Sequence, residues 1–302
     1  MKVPVALRNR WPALAVTLAL CCCAASAQVT ATASYRIRVE RDVPFAVGAS
    51  HAEADGYRDL HLDVYRPRKE GAGRPAVVIL HGGAFTFLDK AQKHHRRLGK
   101  YFARRGFVAF SIDYRQVADA PPAPSGYTGT ALEAAQYAAT MDAKAAVRWI
   151  RANHAAYGID PNRVAAVGSS AGATTVYGLA LTDSTDFAVD AADDPAYLIN
   201  HPEQSARVQA AVALWGNPGF YMEEADAADP PLLIVHSRHD PHRKETPFEA
   251  VARLVDALDA AGAPYRLHAL DVPGHTHWGA SVAGKPVFEL VFTFCARQLG
   301  VR

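Results

Sequence analysis

The sequence predicts an α/β fold in which a mostly parallel, doubly wound sheet carries helices on both faces. Short, nearly continuous apolar runs recur along the chain, as expected for strands that are covered on both sides. Between them, apolar residues recur at spacings of three and four, which is the period of an amphipathic helix. Strands that alternate with helices in this way form parallel sheets. The predicted strands occupy residues 76–80, 107–112, 164–167, 208–214, 232–235 and 267–272.

Two further strands and three helices complete the predicted fold. Residues 36–43 and 59–65 alternate enough to predict an antiparallel hairpin at one edge of the sheet. Thr246 followed by Glu249 has the pattern of a capping box, so Thr246 is expected to be the N-cap of a helix that ends at Gly262. The predicted helices occupy residues 131–153, the stretch after Thr246, and residues 286–299.

Composition is typical of one globular domain without a polyanionic partner. Half of the 302 residues are hydrophobic and 21% are charged, which is enough apolar material for a sizeable core. The 32 basic and 30 acidic residues leave a formal net charge of +2, so nucleic-acid binding has no support. The basic run at residues 94–97 falls where a helix should follow a strand, and we expect it to form a solvated helix face.

The first 27 residues have the pattern of a signal peptide. Basic residues precede an apolar run over residues 11–25, and small residues at Ala25 and Ala27 suit the subsites of signal peptidase. We expect cleavage after Ala27, a single mature domain over residues 28–302 that is periplasmic or secreted, and no stable membrane insertion afterwards. An uncleaved anchor is an alternative, although the run is short for a membrane span. Lipoprotein processing at Cys21 is another, although a bulky residue precedes it.

The cysteine and histidine content indicates neither a disulfide nor a metal site. Cleavage after Ala27 would leave Cys295 as the one remaining cysteine, so no intrachain disulfide could form. Cys295 lies in an apolar helical stretch, where a buried and inert thiol is expected. The 13 histidines do not fall at recurring ligand spacings, so no metal site is expected.

Residues 168–172 read Gly-Ser-Ser-Ala-Gly, directly after a predicted strand and before a helix-compatible run. This is the G-x-S-x-G pattern in the strand, turn and helix context of a nucleophile elbow. The glycines allow a cramped turn that lifts Ser170 above the sheet, and the positive end of the following helix points at the oxyanion formed on attack. Ser170 is the predicted nucleophile, and Ser169 is expected to be structural. A glycine turn without a catalytic role is the alternative.

A serine nucleophile requires a base, which a carboxylate orients. Asp240 follows a predicted strand at its carboxyl end and is the predicted acid. Residues 273–277 read Pro-Gly-His-Thr-His and offer two candidate bases. We expect His277 rather than His275 to be the base, because the loop should need a few residues beyond its strand before it can fold back over Ser170.

Residues 81–85 read His-Gly-Gly-Ala-Phe after the strand that ends at residue 80. Small residues here let main-chain N–H groups approach a reacting carbonyl oxygen. The N–H groups of Gly83, Ala84 and Ala171 are the predicted oxyanion hole, in which the loss of one donor typically costs about 3 kcal/mol of transition-state stabilisation. Residues 116–130 and 182–207 break the alternation of strands and helices, and they are expected to be surface excursions that either shape the substrate cleft or are inert.

In combination these motifs resemble the carboxylesterase and hormone-sensitive-lipase-like branch of the α/β hydrolases, including its feruloyl-esterase-like members. The resemblance runs from about residue 59 to the C-terminus. It implies the α/β-hydrolase fold, ester hydrolysis without a metal or organic cofactor, and a triad of Ser170, Asp240 and His277. Many relatives carry a helical cap where this chain has only the short stretch between Gly216 and Pro230, so we expect a lid that is small or absent, or one formed by residues 182–207. In this family the histidine loop often reads Pro-Gly-Ala-Gly-His, which aligns the family's histidine with His277. Ala84 replaces the third glycine of the usual His-Gly-Gly-Gly motif, which alters the shape of the oxyanion hole.

The sequence therefore predicts a serine carboxylesterase that works through an acyl-enzyme intermediate. Its expected partner is a small-molecule ester or an acylated carbohydrate, and the sequence carries no signal for an oligomeric state. An amidase or peptidase on the same scaffold is the first alternative, because the same triad can cleave amides. A catalytically silent binding protein is the second, although such proteins typically lack a triad member and none is missing here.

Overall fold

The computed structural model describes residues 29–123, 129–183, 196 and 199–301. An eight-stranded sheet forms its centre. The strands are β1 (Ile37–Ala49), β2 (Tyr57–Pro67), β3 (Arg74–Leu80), β4 (Val108–Ile112), β5 (Ile159–Ser169), β6 (Ala210–Leu214), β7 (Leu232–His239) and β8 (Tyr265–Pro273). Their order across the sheet is β1-β2-β4-β3-β5-β6-β7-β8. The β1–β2 and β2–β4 pairs are antiparallel, and every later pair is parallel.

Helices cover both faces of this sheet, as the sequence predicted. One apolar core contains side chains of the second, fourth and fifth helices, and the other contains side chains of the first and last. The helices are α1 (Lys93–Ala103), α2 (Ala131–Ala152), α3 (His154–Tyr157), α4 (Ala171–Leu181), α5 (Phe248–Ala261) and α6 (Val287–Gln298). A two-residue hairpin of β9 (Ser281–Val282) and β10 (Lys285–Pro286) precedes α6.

Strand β3 shows why the central strands read as continuous apolar runs. All seven of its residues are buried. Because side chains alternate across a sheet, Val78 and Leu80 enter one core while Val77 and Ile79 enter the other. Both faces of the strand therefore select apolar residues.

The predicted edge hairpin is confirmed and is longer than expected, because β1 continues to Ala49 through two register shifts. The predicted helix end at Gly262 is also confirmed, since this glycine adopts a left-handed conformation with φ of 72°. The predicted start of the same helix is wrong. Pro247 occupies the N-cap position, and the Thr246 hydroxyl instead donates a hydrogen bond to Asp240.

Helix α1 corrects the expectation of a solvated basic face at residues 94–97. The helix begins after Gln92, whose side-chain oxygen accepts hydrogen bonds from the backbone N–H groups of His94 and His95. His95 is only 1% exposed and turns toward the sheet. A buried histidine at the start of a helix cannot be distinguished from an exposed one by charge pattern alone.

The predicted signal peptide over residues 1–27 lies outside the described residues. Among the described helices, none is both long and apolar enough to cross a bilayer. The described part of the 182–207 excursion is attached to the sheet by Asn200, whose side chain both accepts from the Val47 N–H and donates to the Val47 carbonyl. In the other excursion, a 3-10 turn spans Val117–Asp119.

Candidate active site

Ser170 lies at the turn between β5 and α4, with φ of 53° and ψ of −122°. A non-glycine residue adopts such a backbone conformation only where the surrounding structure enforces it. The flanking glycines are required by close packing. A Cβ at Gly168 would lie 2.0 Å from the Gly172 carbonyl oxygen, and one at Gly172 would lie 2.2 Å from the Leu80 carbonyl oxygen. The elbow is therefore cramped and strained, as its sequence pattern indicated.

The nucleophile candidate is the first member of a continuous hydrogen-bonded relay. The Ser170 hydroxyl lies 2.8 Å from Nε2 of His275, and Nδ1 of the same ring lies 2.8 Å from Oδ2 of Asp240. Asp240 directly follows β7, and His275 lies two residues beyond β8. Because β5, β6, β7 and β8 are successive parallel neighbours, their carboxyl ends bring the three side chains to one edge of the sheet.

The structure assigns the base position to His275, which corrects the expectation for His277. Strand β8 extends to Pro273, and Gly274 turns the chain immediately with φ of 130°. The first histidine after this turn already reaches Ser170, so the extra loop length that favoured His277 is not needed. His277 instead folds back, with Nε2 3.0 Å from the Gly274 carbonyl oxygen and its ring packed edge-on against Trp215.

Asp240 is built to remain ionised. Burial raises its pKa, but hydrogen bonds from the His275 ring, the His242 N–H and the Thr246 hydroxyl outweigh burial and hold the pKa below its ordinary value. An ionised carboxylate at Oδ2 accepts the proton on Nδ1 of His275, which leaves Nε2 free to accept from the Ser170 hydroxyl. The relay therefore has the tautomer that a general base needs.

Residues 81–88, which follow β3 and are called the oxyanion loop below, turn tightly beside Ser170. Thr86 and Phe87 both donate their N–H groups to the Gly83 carbonyl. Gly83 has φ of 119°, and a Cβ there would lie 1.8 Å from the Phe87 carbonyl oxygen, so only glycine fits. Ala84 also has a positive φ, of 51°.

Three main-chain donors near Ser170 are unused. Within the described part of the chain, the N–H groups of Gly83, Ala84 and Ala171 donate no hydrogen bond. A Cβ built on Gly82 would lie 3.3 Å from the Ser170 Cβ, which shows how closely the loop approaches the elbow. These three N–H groups are therefore candidate donors to a negatively charged oxygen formed at Ser170.

His81, at the start of the oxyanion loop, is held in place by Tyr114. Its ring stacks on Tyr114 with centroids 4.2 Å apart, and the Tyr114 hydroxyl donates to the His81 carbonyl at 2.7 Å. Burial lowers the pKa of His81, so the ring is neutral. Among the described residues, no group of three or more His, Cys, Asp or Glu side chains has the arrangement of a metal site.

Two supporting residues of the site were missed from the sequence. Thr246 resembled a helix N-cap but donates to Asp240 at 3.0 Å. His95 was assigned to a solvated face but lies 3.0 Å from the hydroxyl of Ser169. Thr246 has the chemistry of an N-cap, so no local pattern marks its bond to Asp240, and the second contact joins residues 74 positions apart.

A family model for BD-FAE matches residues 62–225, which is more than half of the chain. The matched span contains the oxyanion loop and the nucleophile elbow. The chain belongs to the BD-FAE family. This result confirms the predicted relationship to the carboxylesterases of the α/β-hydrolase superfamily.

Curated relatives of this BD-FAE chain are longer than it is. It is 29% identical over 204 residues to the probable carboxylic ester hydrolase LipM of Mycobacterium tuberculosis, covering 67% of the chain and 41% of LipM. It is 24% identical over 306 residues to esterase LipQ of the same organism, covering 86% of the chain and 64% of LipQ. The chain thus spans less than two thirds of the length of either relative.

A solved structure confirms the fold. Esterase 2 of Thermogutta terrifontis, phosphorylated by paraoxon, superposes with a TM-score of 0.60 at 24% sequence identity. The likeness covers 86% of this chain and 94% of that one. The BD-FAE chain therefore has the predicted α/β-hydrolase fold.

Proposed function

We propose that this BD-FAE protein is a serine carboxylesterase that hydrolyses esters through an acyl-enzyme intermediate. The observation that carries the proposal is the relay from Ser170 through His275 to Asp240, in which both contacts measure 2.8 Å. A serine, a histidine and a carboxylate in this geometry are the parts of a nucleophilic triad. The presence of all three argues against a silent binding protein.

In the proposed first half-reaction, Nε2 of His275 takes the hydroxyl proton while the Ser170 Oγ attacks the ester carbonyl carbon. The carbonyl oxygen becomes an oxyanion that accepts hydrogen bonds from the N–H groups of Gly83, Ala84 and Ala171. When the tetrahedral intermediate collapses, the C–O bond to the alcohol breaks and His275 gives its proton to the departing alkoxide.

In the second half-reaction, His275 takes a proton from water as the water oxygen attacks the acyl carbon. The bond to the Ser170 Oγ then breaks, and the proton returns from the ring to that oxygen. The carboxylic acid leaves, and the enzyme is restored. The ionised Asp240 stabilises the imidazolium in both halves.

A small-molecule ester with an apolar part, which includes an acylated carbohydrate, is the proposed substrate. Phe87 and Leu88, at the end of the loop after β3, are adjacent apolar side chains that are 59% and 43% exposed. The Gln116 side chain donates to the Leu88 carbonyl, and the Val117 N–H donates to the Phe85 carbonyl. The start of the 116–130 excursion is thus hydrogen-bonded to this apolar segment, which supports a role for it in shaping the substrate site.

Export to the periplasm or the medium, with cleavage after Ala27, is part of the proposal. Its support is the sequence pattern of residues 1–27. Cys295 is fully buried, and burial raises the pKa of its thiol, so it is protonated and protected.

The proposed function is tested with p-nitrophenyl esters of rising acyl length and the matching p-nitroanilides. Esters should be hydrolysed, and a fluorophosphonate probe should label the wild-type protein and the Ser169→Ala control to completion but leave Ser170→Ala unlabelled. Hydrolysis of anilides alone would instead indicate an amidase. Labelling that persists in Ser170→Ala would refute the assignment of the nucleophile.

A further inference from the structure

A second serine–histidine pair lies directly behind the nucleophile elbow. The hydroxyl of Ser169 is 3.0 Å from Nε2 of His95, and Nδ1 of His95 is 2.5 Å from Oε1 of Gln92. His95 and Ser169 are only 1% and 3% exposed, so no substrate reaches them. The pair is therefore not a second catalytic centre, and its position calls for another role.

The direction of the hydrogen bonds in this pair is fixed by helix α1. Oε1 of Gln92 accepts the backbone N–H groups of His94 and His95, so this atom is the amide oxygen. Nδ1 of His95 must then donate to it, which leaves Nε2 as an acceptor for the Ser169 hydroxyl. Burial lowers the pKa of His95 to about 3, so the ring stays neutral and keeps this arrangement.

Ser169 is the last residue of β5 and shares a peptide bond with Ser170. The positive φ of Ser170 persists only because its surroundings over-determine the backbone. One restraint is the hydrogen bond from the Ser170 N–H to the Leu214 carbonyl at 2.9 Å. The side chain of Ser169, held by His95, supplies a second restraint.

The same end of α1 also touches the segment that carries the base. Trp278, three residues after His275, stacks on His94 with centroids 5.3 Å apart and meets the His95 ring edge-on at 5.6 Å. Trp278 also packs edge-on against Trp215, which follows β6. His95 therefore contacts both the strand that presents the nucleophile and the loop that presents the base.

We propose that His95 is a positioning residue that holds Ser169, and through it the elbow, in register with the loop of His275. The inference rests on the proposed esterase function. The distance that His95 is proposed to maintain is the 2.8 Å contact between Ser170 and His275. A displacement near 1 Å at reacting groups can lower a rate by about a hundredfold. Loss of the His95–Ser169 bond should relax that contact partly, so that kcat falls while KM stays nearly constant.

The test is a double-mutant cycle with His95→Phe and Ser169→Ala. Phenylalanine keeps a ring against Trp278 but cannot accept a hydrogen bond from Ser169. The Gln92 side chain still accepts hydrogen bonds from the backbone N–H groups of residues 94 and 95. His94→Phe is the matched control, because the His94 ring stacks on the same tryptophan but makes no hydrogen bond to Ser169. We would measure kcat, KM and the rate of fluorophosphonate labelling, each normalised to the titrated active sites.

Each variant of the pair should lose about tenfold in kcat and in labelling rate, with KM within twofold of wild type. The double variant should be no slower than the slower single variant. His94→Phe should stay within twofold of wild type. Losses that multiply in the double variant, or an equal loss in His94→Phe, would overturn the positioning role.

If His95→Phe does not fold, Ser169→Ala and Ser169→Thr decide the question. The threonine hydroxyl can still donate to His95, so Ser169→Thr should retain at least half of the wild-type kcat, whereas equal losses in both variants would overturn the proposal. Wild-type protein that neither hydrolyses ester nor becomes labelled contradicts the esterase function itself. Active wild-type protein with multiplicative losses contradicts only the role of His95.

Discussion

Replacing each histidine of the loop after β8 should separate the base from its neighbour. His275→Ala removes both 2.8 Å contacts of the relay, and with them the acceptor for the Ser170 proton. His277→Ala removes one contact, 3.0 Å from the Gly274 carbonyl, and the packing of a half-buried ring on Trp215. The two losses differ in kind, so the two variants should differ in kinetics.

The expected magnitudes follow from those contacts. Loss of a triad base costs at least about a thousandfold in kcat, which corresponds to about 4 kcal/mol of transition-state stabilisation. A neutral hydrogen bond contributes about 1 kcal/mol to folding, so His277→Ala should lower the melting temperature by ~3 °C and leave kcat within about tenfold of wild type.

Single-turnover kinetics under one set of conditions, after circular dichroism has confirmed the fold, would measure both steps. Acylation should fail in His275→Ala, because the same imidazole activates Ser170. If His277→Ala is inactive and His275→Ala retains activity, the assignment of His275 as the base is wrong.

Three further outcomes are expected. The pKa of Asp240 is depressed, so the stability it contributes is present above its unfolded value of about 3.9 and is lost as the pH falls through the folded value. Urea unfolding should therefore show Asp240→Asn destabilised at pH 7, with a gap from wild type that narrows at pH 3; a constant gap would contradict this. Gly83→Ala should lower kcat about a hundredfold, since the loop must shift to relieve the contact with the Phe87 carbonyl, whereas Gly73→Ala, at a φ of 71° in open space, should leave kcat unchanged. Equal effects would exclude a role for the Gly83 loop in the oxyanion hole. N-terminal sequencing of exported protein should begin at Gln28, and an intact Met1 or a lipid-modified Cys21 would contradict cleavage after Ala27.

Much of the fold was predictable because a strand that is buried on both faces of the sheet requires a continuous apolar run in the sequence. The predicted strands agree with β3 to β8 to within a few residues, except that β5 begins five residues earlier than expected. The start of α5 was mispredicted for a specific reason. Thr246 has the chemistry of an N-cap, and only the position of Asp240 in three dimensions shows that its hydroxyl is already committed.

The site divides in the same way. Ser170 and the oxyanion loop were predictable because each lies within a short motif whose glycines are required by local close packing. The choice between His275 and His277 was not, because it depends on where β8 ends and on one backbone torsion at Gly274. The contact of His95 with Ser169 required the packing of α1 on the sheet, which no local pattern encodes.

Strand β8 is the last strand of the sheet, and its outer residues are partly or fully exposed. In the described part of the chain β8 pairs with β7 alone, so the backbone N–H and C=O groups on its other side have no strand partner there. Exposed edges are the parts of a sheet that fray first and that join foreign strands most readily. His275 follows the edge strand β8, whereas Ser170 follows the central strand β5. Warming should therefore separate the base from the nucleophile before the whole sheet unfolds. Loss of the proposed activity on heating would then begin as a local and reversible separation of His275 from Ser170.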